Sequence, residues 1–292
     1  MKNRKVLFLG LLICMTCGAH AAETSWKFVP KGTQKLVQVA AGGQHVWGRD
    51  SDGNVYKWNM GAEKWEQKFL KTVFSKGEWS WLPVKAHWIT VRRDGKVYGL
   101  VNGKAHELTG DRWKVLGGGE PELARIYACE SKKQVNVVFA VTKGRKWFGQ
   151  LSNQGGLSWR WIRFPLVTFD KFIGGKVEGK SKEHWTYWGL RGNSVYPVNN
   201  LLEVTSTLIG ISVIPGRLKD ISVGPSGKLW GIGMDGVPYS LDKKRGFLGI
   251  SALAWTRCAP PGPGNLVSIS VASDEEIWVI TKDGTVGRWV NK

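Results

Sequence analysis

The sequence predicts an all-β protein, a six-bladed β-propeller, on three observations. A polar residue, a glycine and then an aromatic or β-branched run recur six times, with the glycines at 53, 95, 144, 192, 236 and 284. Their spacings of 42, 49, 48, 44 and 48 residues suit a unit of four short strands, so six copies read as six blades. The composition agrees: 38 Gly and 17 Trp in 292 residues, with few long helical periods. Finally, an orphan Trp strand (Trp26 to Val29) precedes the first repeat, while the last repeat stops at its third strand, Val286 to Val290. Pairing these N- and C-terminal strands completes a blade and leaves no open edge between first and last blades.

The chain opens with a basic segment (Lys2, Arg4, Lys5), an apolar run from Val6 to Cys17, and Ala19-His20-Ala21. That is the pattern of a secretory signal with its cleavage site, so residues 1–21 are expected to be removed. Residues 22–292 then form a single propeller domain, secreted or periplasmic. No other stretch approaches 18 apolar residues, so no transmembrane segment is expected. Cys14 and Cys17 belong to the signal. Cys129 and Cys258 fall on opposite blades in the repeat phase, which predicts two separate thiols rather than a bridge.

Formal net charge is +19, and the signal carries three of those charges, leaving +16. Such a surface favours anionic partners: phosphorylated or sulfated glycans, lipopolysaccharide or membrane surfaces. The plainer alternative is that charge only keeps the chain soluble. Basic residues are scattered rather than clustered, which argues against a nucleic-acid groove.

Each turn has a chemical reason. Asp52-Gly53, Asp94-Gly95, Asp235-Gly236 and Asp283-Gly284 supply the positive φ of a tight hairpin. Runs before them alternate as strands do: His45-Val46-Trp47-Gly48, His87 to Val91, Leu229 to Ile232 and Ile277 to Ile280. Between the turns lies a second motif. It is clearest as Leu218-Lys-Asp-Ile-Ser-Val-Gly224 and recurs from Leu36 to Gly42 and from Leu266 to Ala272. A Trp strand, Leu-x-x-Ile-Ser-Val-Gly, a Val-Trp-Gly strand, a Gly turn and a Tyr strand together resemble the tectonin-repeat family. The match is good in repeats 1, 5 and 6. It weakens at Val138-Phe139-Ala140 and around Tyr187-Trp188-Gly189, where the Ile-Ser-Val-Gly strand is missing.

That resemblance implies a tectonin-type propeller that recognises glycans or lipopolysaccharide through repeated shallow sites. Its site residues would be Gln44, His45 and Trp47, then Ser226, Lys228 and Trp230, then Asp274, Glu275 and Trp278. Core packing is the default for second-strand tryptophans (Trp47, Trp88, Trp188, Trp230, Trp278). An exposed indole edge would instead stack on a sugar face beside polar neighbours. Trp26, Trp65, Trp113, Trp159 and Trp255 take the outer-strand position and are expected to pack between blades.

Beyond the signal segment, a catalytic reading finds no Gly-x-Ser-x-Gly, His-Glu-x-x-His or Cys-x-x-Cys, so no enzyme, cofactor or metal is expected. His45 and His87 read as strand-start residues. Asp50, Asp52 and Asn54 faintly resemble a calcium loop but lack its bidentate Glu, so a structural turn is preferred. The alternative function is a periplasmic or extracellular protein-interaction scaffold on the same fold.

Overall fold

The computed structural model describes residues 25–29, 34–75, 78–116, 122–130, 136–151, 160–164, 169–176, 185–198, 214, 216–245, 251–258 and 265–290. In chain order, β1 (Ser25–Phe28) is followed by a first sheet of β2 (Leu36–Gly42), β3 (His45–Asp50), β4 (Val55–Asn59) and β5 (Lys64–Gln67). β6 (Phe69–Ser75) and β7 (Glu78–Pro83) form a separate ribbon. The second sheet holds β8 (Trp88–Val91), β9 (Val97–Val101), β10 (Lys104–Thr109) and β11 (Arg112–Val115). The third holds β12 (Leu123–Glu130), β13 (Asn136–Thr142), β14 (Trp147–Leu151) and β15 (Arg160–Phe164). β16 (Lys171–Lys176), β17 (Trp185–Arg191) and β18 (Ser194–Val198) make the fourth. The fifth contains β19 (Leu218–Val223), β20 (Leu229–Gly233), β21 (Pro238–Arg245) and β22 (Ser251–Arg257). β23 (Leu266–Ser273), β24 (Glu276–Thr281) and β25 (Val286–Val290) are completed by β1, with Ser25 opposite Val290 and Phe28 opposite Gly287.

Every described pairing is antiparallel, as short connections require. The first strands of successive sheets pack side by side in the order β2, β8, β12, β16, β19, β23, and β23 also packs on β2. The core is therefore divided into layers, each shared by two neighbouring sheets. Ala40, Trp47 and Val55 meet Ala86, Ile89 and Val97; Trp230 and Ile232 meet Leu266, Ile269 and Ile277. Leu36, Val46 and Trp58 meet Trp278, Ile280 and Val286 across the last and first sheets. Full burial of such a side chain contributes about 1.5–3 kcal/mol. Outer-strand Trp65 stands edge-on to Trp58 and to Trp278, at 5.2 Å and 5.8 Å between ring centroids, as its between-sheet role requires. Trp159 lies outside the described residues.

The Leu-x-x-Ile-Ser-Val motif has a physical reading in the structure. Its leucine N–H donates to the turn of the preceding sheet: Leu123 to Gly103, Leu218 to Asn193 and Leu266 to Gly236, at 2.8, 3.0 and 3.2 Å. Four residues on, a hydroxyl accepts the N–H of the next sheet's first strand. Ser222 takes that of Val271 (3.0 Å), Ser270 that of Ala41 (2.8 Å) and Thr90 that of Ala128 (3.1 Å). Two residues past the leucine, Gln38 and Asp220 accept from Ile89 (3.0 Å) and Ile269 (2.9 Å). These bonds hold adjacent first strands at one level, because each satisfies a donor that the sheet ladder leaves over. The glycine of Val-Trp-Gly is steric: a Cβ on Gly231 would lie 2.5 Å from Leu218 Cδ1.

One repeat is phased differently from the sequence reading. Gly95 joins the first and second strands of its sheet, so Trp88 sits on a first strand, not a second. The turn equivalent to Gly53 and Gly236 is Asn102-Gly103, both at positive φ (51° and 71°). Its Gly103 carbonyl receives the Leu123 N–H of the next sheet, as the other such turns do. The β6–β7 ribbon delays this sheet's first strand, and Asp-Gly and Asn-Gly are equally good hairpin formers.

No disulfide joins the two described cysteines, Cys129 and Cys258.

Candidate binding faces

The meander sheets give the molecule two turn-bearing faces. One carries the turns between first and second strands: Gly43-Gln44, Arg93-Asp94, Pro225-Ser226 and Asp274-Glu275. The other carries the turns between second and third strands, together with the start of each first strand. Between the first strands runs a cavity of about 140 Å³. Its lining includes Gln38, Thr90, Ser222 and Ser270, already committed to inter-sheet hydrogen bonds, and Lys171. Lys171 is neutralised by Asp220 at 2.6 Å. Small-molecule sites usually enclose roughly 300–1,000 Å³, so this space suits a few waters better than a sugar.

The nine residues expected from the sequence lie on or just beneath the first of these faces. Ser226 and Asp274 come together across sheets 5 and 6, with Ser226 Oγ donating to Asp274 Oδ1 at 2.8 Å. Lys228 pairs with Asp242 at 3.1 Å and stands 5.2 Å from the Trp230 ring centroid. The His45 ring packs where a Cβ on Gly95 would have to go, closing the seam between sheets 1 and 2. Gln44 and Glu275 are exposed at their turns. The indoles follow the core-packing default rather than the stacking alternative: Trp47, Trp230 and Trp278 are 7, 4 and 0% exposed. Trp278 Nε1 is further committed to Glu276 at 2.9 Å, with Arg288 on the same carboxylate. The packing value of an indole in the layer between sheets outweighs its exposure.

The Asp50 turn is structural as expected. Asp50 accepts from the Asn54 backbone (2.8 Å), the Asn54 side chain (2.8 Å) and the Tyr56 hydroxyl (2.9 Å). Among the described residues, no three His, Cys, Asp or Glu side chains converge as metal ligands, and no helix is long and apolar enough to cross a membrane.

The opposite face holds what the sequence reading passed over. Val37, Met234 and Val267 are 44, 52 and 39% exposed there. Val37 and Val267 each follow the leucine of the motif, on the neighbouring strands β2 and β23, and the Ser270–Ala41 bond sets those strands level. Met234 belongs to the turn whose Gly236 abuts Asn265, and its N–H donates to Arg217 at 3.0 Å. Lys219 occupies the equivalent position on β19, where burial pushes its ammonium below its ordinary value against the pull of Asp235 and Asp220. Lys35, Arg217 and Lys282 are exposed and make no ion pair with a described carboxylate. The local carboxylates are occupied: Tyr239 donates to Asp235 at 2.7 Å, and Thr285 to Asp283 at 3.0 Å. The Thr281 and Thr285 hydroxyls hold Asp283 below the usual carboxylate range. An apolar residue immediately after the repeat leucine was the available signal; alternation alone reads it as one more strand position.

No family model matches the chain, and no curated protein matches it in sequence. Solved structures do match in shape. The chain is similar to the β-propeller domain of Cps50 (Swd1) from Myceliophteria thermophila, with TM-score 0.54 and 10% identity over 92% of this chain and 100% of that one. It is similar to YCF48, solved bound to a D1 peptide, with TM-score 0.55 and 13% identity over 92% and 97%. The WD40 repeats of RRP9 align with TM-score 0.52 and 10% identity over 91% and 79%. At such identities the likeness concerns the fold, and the fold is a β-propeller.

Proposed function

We propose that this protein is a non-enzymatic protein-interaction scaffold, exported from the cell. Its fold would be a six-bladed, tectonin-like propeller closed by β1 on β25. The observation that carries the reading is that Val37, Met234 and Val267 are all exposed on the same turn-bearing face. Exposed apolar residues gathered on one face, with a polar rim, mark interaction surfaces on soluble proteins. Two further points support a polypeptide over a glycan. The axial cavity of about 140 Å³ is small for a sugar, and the second-strand indoles of the expected glycan sites are buried. A propeller of similar shape, YCF48, is solved with a peptide bound.

Selection from a displayed peptide library, followed by calorimetry, tests the reading against glycan and lipopolysaccharide arrays. The expected result is an enriched peptide binding in the micromolar range or better, with the arrays silent. Array binding without any peptide would reverse the assignment to a lectin. Cell fractionation with and without residues 1–21 checks export.

A further inference from the structure

We infer that the partner's contact segment is acidic and interleaved with apolar residues, and that it docks across sheets 5, 6 and 1 on Val267 and Val37, between Arg217, Lys282 and Lys35. This inference rests on the scaffold reading and adds the chemistry of the partner.

Val37 and Val267 stand level on neighbouring strands, and Met234 extends the apolar surface over sheet 5. On the sheet 5 side lie Arg217 and the half-buried Lys219; on the other side, Lys282 opens the turn of Gly284, and Lys35 packs on that turn, where a Cβ on Gly284 would lie 3.1 Å from Lys35 Cβ. Asp220 is paired with Lys171, while Asp235 and Asp283 accept from hydroxyls and keep their charge. Arg217, Lys219, Lys282 and Lys35 outnumber those two carboxylates, so the arc keeps a net positive field that a partner's carboxylates can neutralise, while the valines reward its apolar side chains. The register adds a constraint. Neighbouring first strands hold the apolar positions at one level, so a segment crossing them presents alternate side chains to valine and to cation. A purely anionic ligand, such as a sulfated glycan, gains from the cations alone and leaves the valines wet.

The probe is an alternating Glu–Leu decapeptide, compared with its Gln–Leu counterpart and with heparin. Calorimetry and hydrogen exchange report on the wild type and on two double variants, Arg217→Glu/Lys282→Glu and Val37→Ser/Val267→Ser. All four positions are exposed, so the fold should persist, and thermal unfolding checks this. Expected are binding of the Glu–Leu peptide that weakens with salt, and protection of β2 and β23 from exchange. Charge reversal should weaken it at least about tenfold and the serine pair about fivefold, while heparin is insensitive to the serine change. Heparin binding with no response to the peptide would overturn the inference. So would a selected partner peptide that binds both double variants as well as the wild type, although the scaffold reading would then stand. Failure of every polypeptide would remove the scaffold reading itself.

Discussion

Replacing Asp220 should weaken the junction of three sheets. Its Oδ1 accepts from Lys171 Nζ on β16 at 2.6 Å, and its Oδ2 accepts from the Ile269 N–H on β23 at 2.9 Å. The side chains of Lys171 and Asp220 are only 19% and 13% exposed. Asp220→Ala leaves a largely buried ammonium and a backbone donor without an acceptor. Breaking a buried pair costs about 3–5 kcal/mol and an orphaned N–H about 1–3 kcal/mol. Residual solvent at Lys171 favours the lower end, so a total of about 3–5 kcal/mol is expected. At roughly 2 °C per kcal/mol for a chain of this size, the midpoint should fall by about 6–10 °C. Asp220→Asn keeps an acceptor for Ile269 and should cost about half as much. Lys171→Met combined with Asp220→Asn removes the uncompensated charge and should recover most of the loss. Urea unfolding followed by tryptophan fluorescence, with calorimetry, measures all four proteins. A loss below about 1 kcal/mol for Asp220→Ala would refute the reasoning, as would a double variant no more stable than Asp220→Asn.

Four further outcomes are expected. Ser270→Ala orphans the Ala41 N–H at the seam between last and first sheets and should cost about 1–3 kcal/mol, read as a lowered denaturant midpoint. Gly99→Ala places a Cβ 2.5 Å from Trp113 Cη2 and should cost about 1–3 kcal/mol by overpacking; a neutral result would contradict the phase assigned to the second sheet. Deleting residues 25–29 bares the β25 edge and should lower the thermal midpoint and promote association, seen by light scattering. At alkaline pH, burial raises Tyr56, helped by Asp50, and Tyr98, helped by Glu107, to about 12 from an ordinary 10.0. The folded chain thus holds these protons more tightly than the unfolded one, so stability is intact below pH 10.0 and declines toward about 12. Tyr98→Phe should flatten that decline in a series of melts, since it removes a buried titrating hydroxyl.

The strands were legible because each was bounded by a residue with a backbone reason to be there. Gly53, Gly236 and Gly284 adopt the positive φ that the polar–Gly turns predicted, at 84°, 76° and 84°. The outer tryptophans were legible because packing between sheets needs one large ring per repeat. The second sheet was misphased because Asp94-Gly95 and Asn102-Gly103 carry the same local signal. Only the long-range bond from Leu123 to Gly103 distinguishes them. The binding face was the least legible part. Pattern reading placed polar residues beside indoles in three repeats. It could not see that Ser226 answers Asp274 or that Lys228 answers Asp242, because those pairings cross between strands distant in sequence.

The pairing of β1 with β25 places a demand on time as well as on shape. Ser25 leaves the ribosome, or a translocation pore, long before its partner Val290. Until then β1 has nothing to pair with, and β24 and β25 present an open edge to any passing strand. Closing so long a loop costs entropy that grows only slowly with length, but it delays the reward for every preceding contact. Every residue between the two must therefore be made before the last sheet can form. A chain stalled short of Val286 would keep both of its adhesive ends.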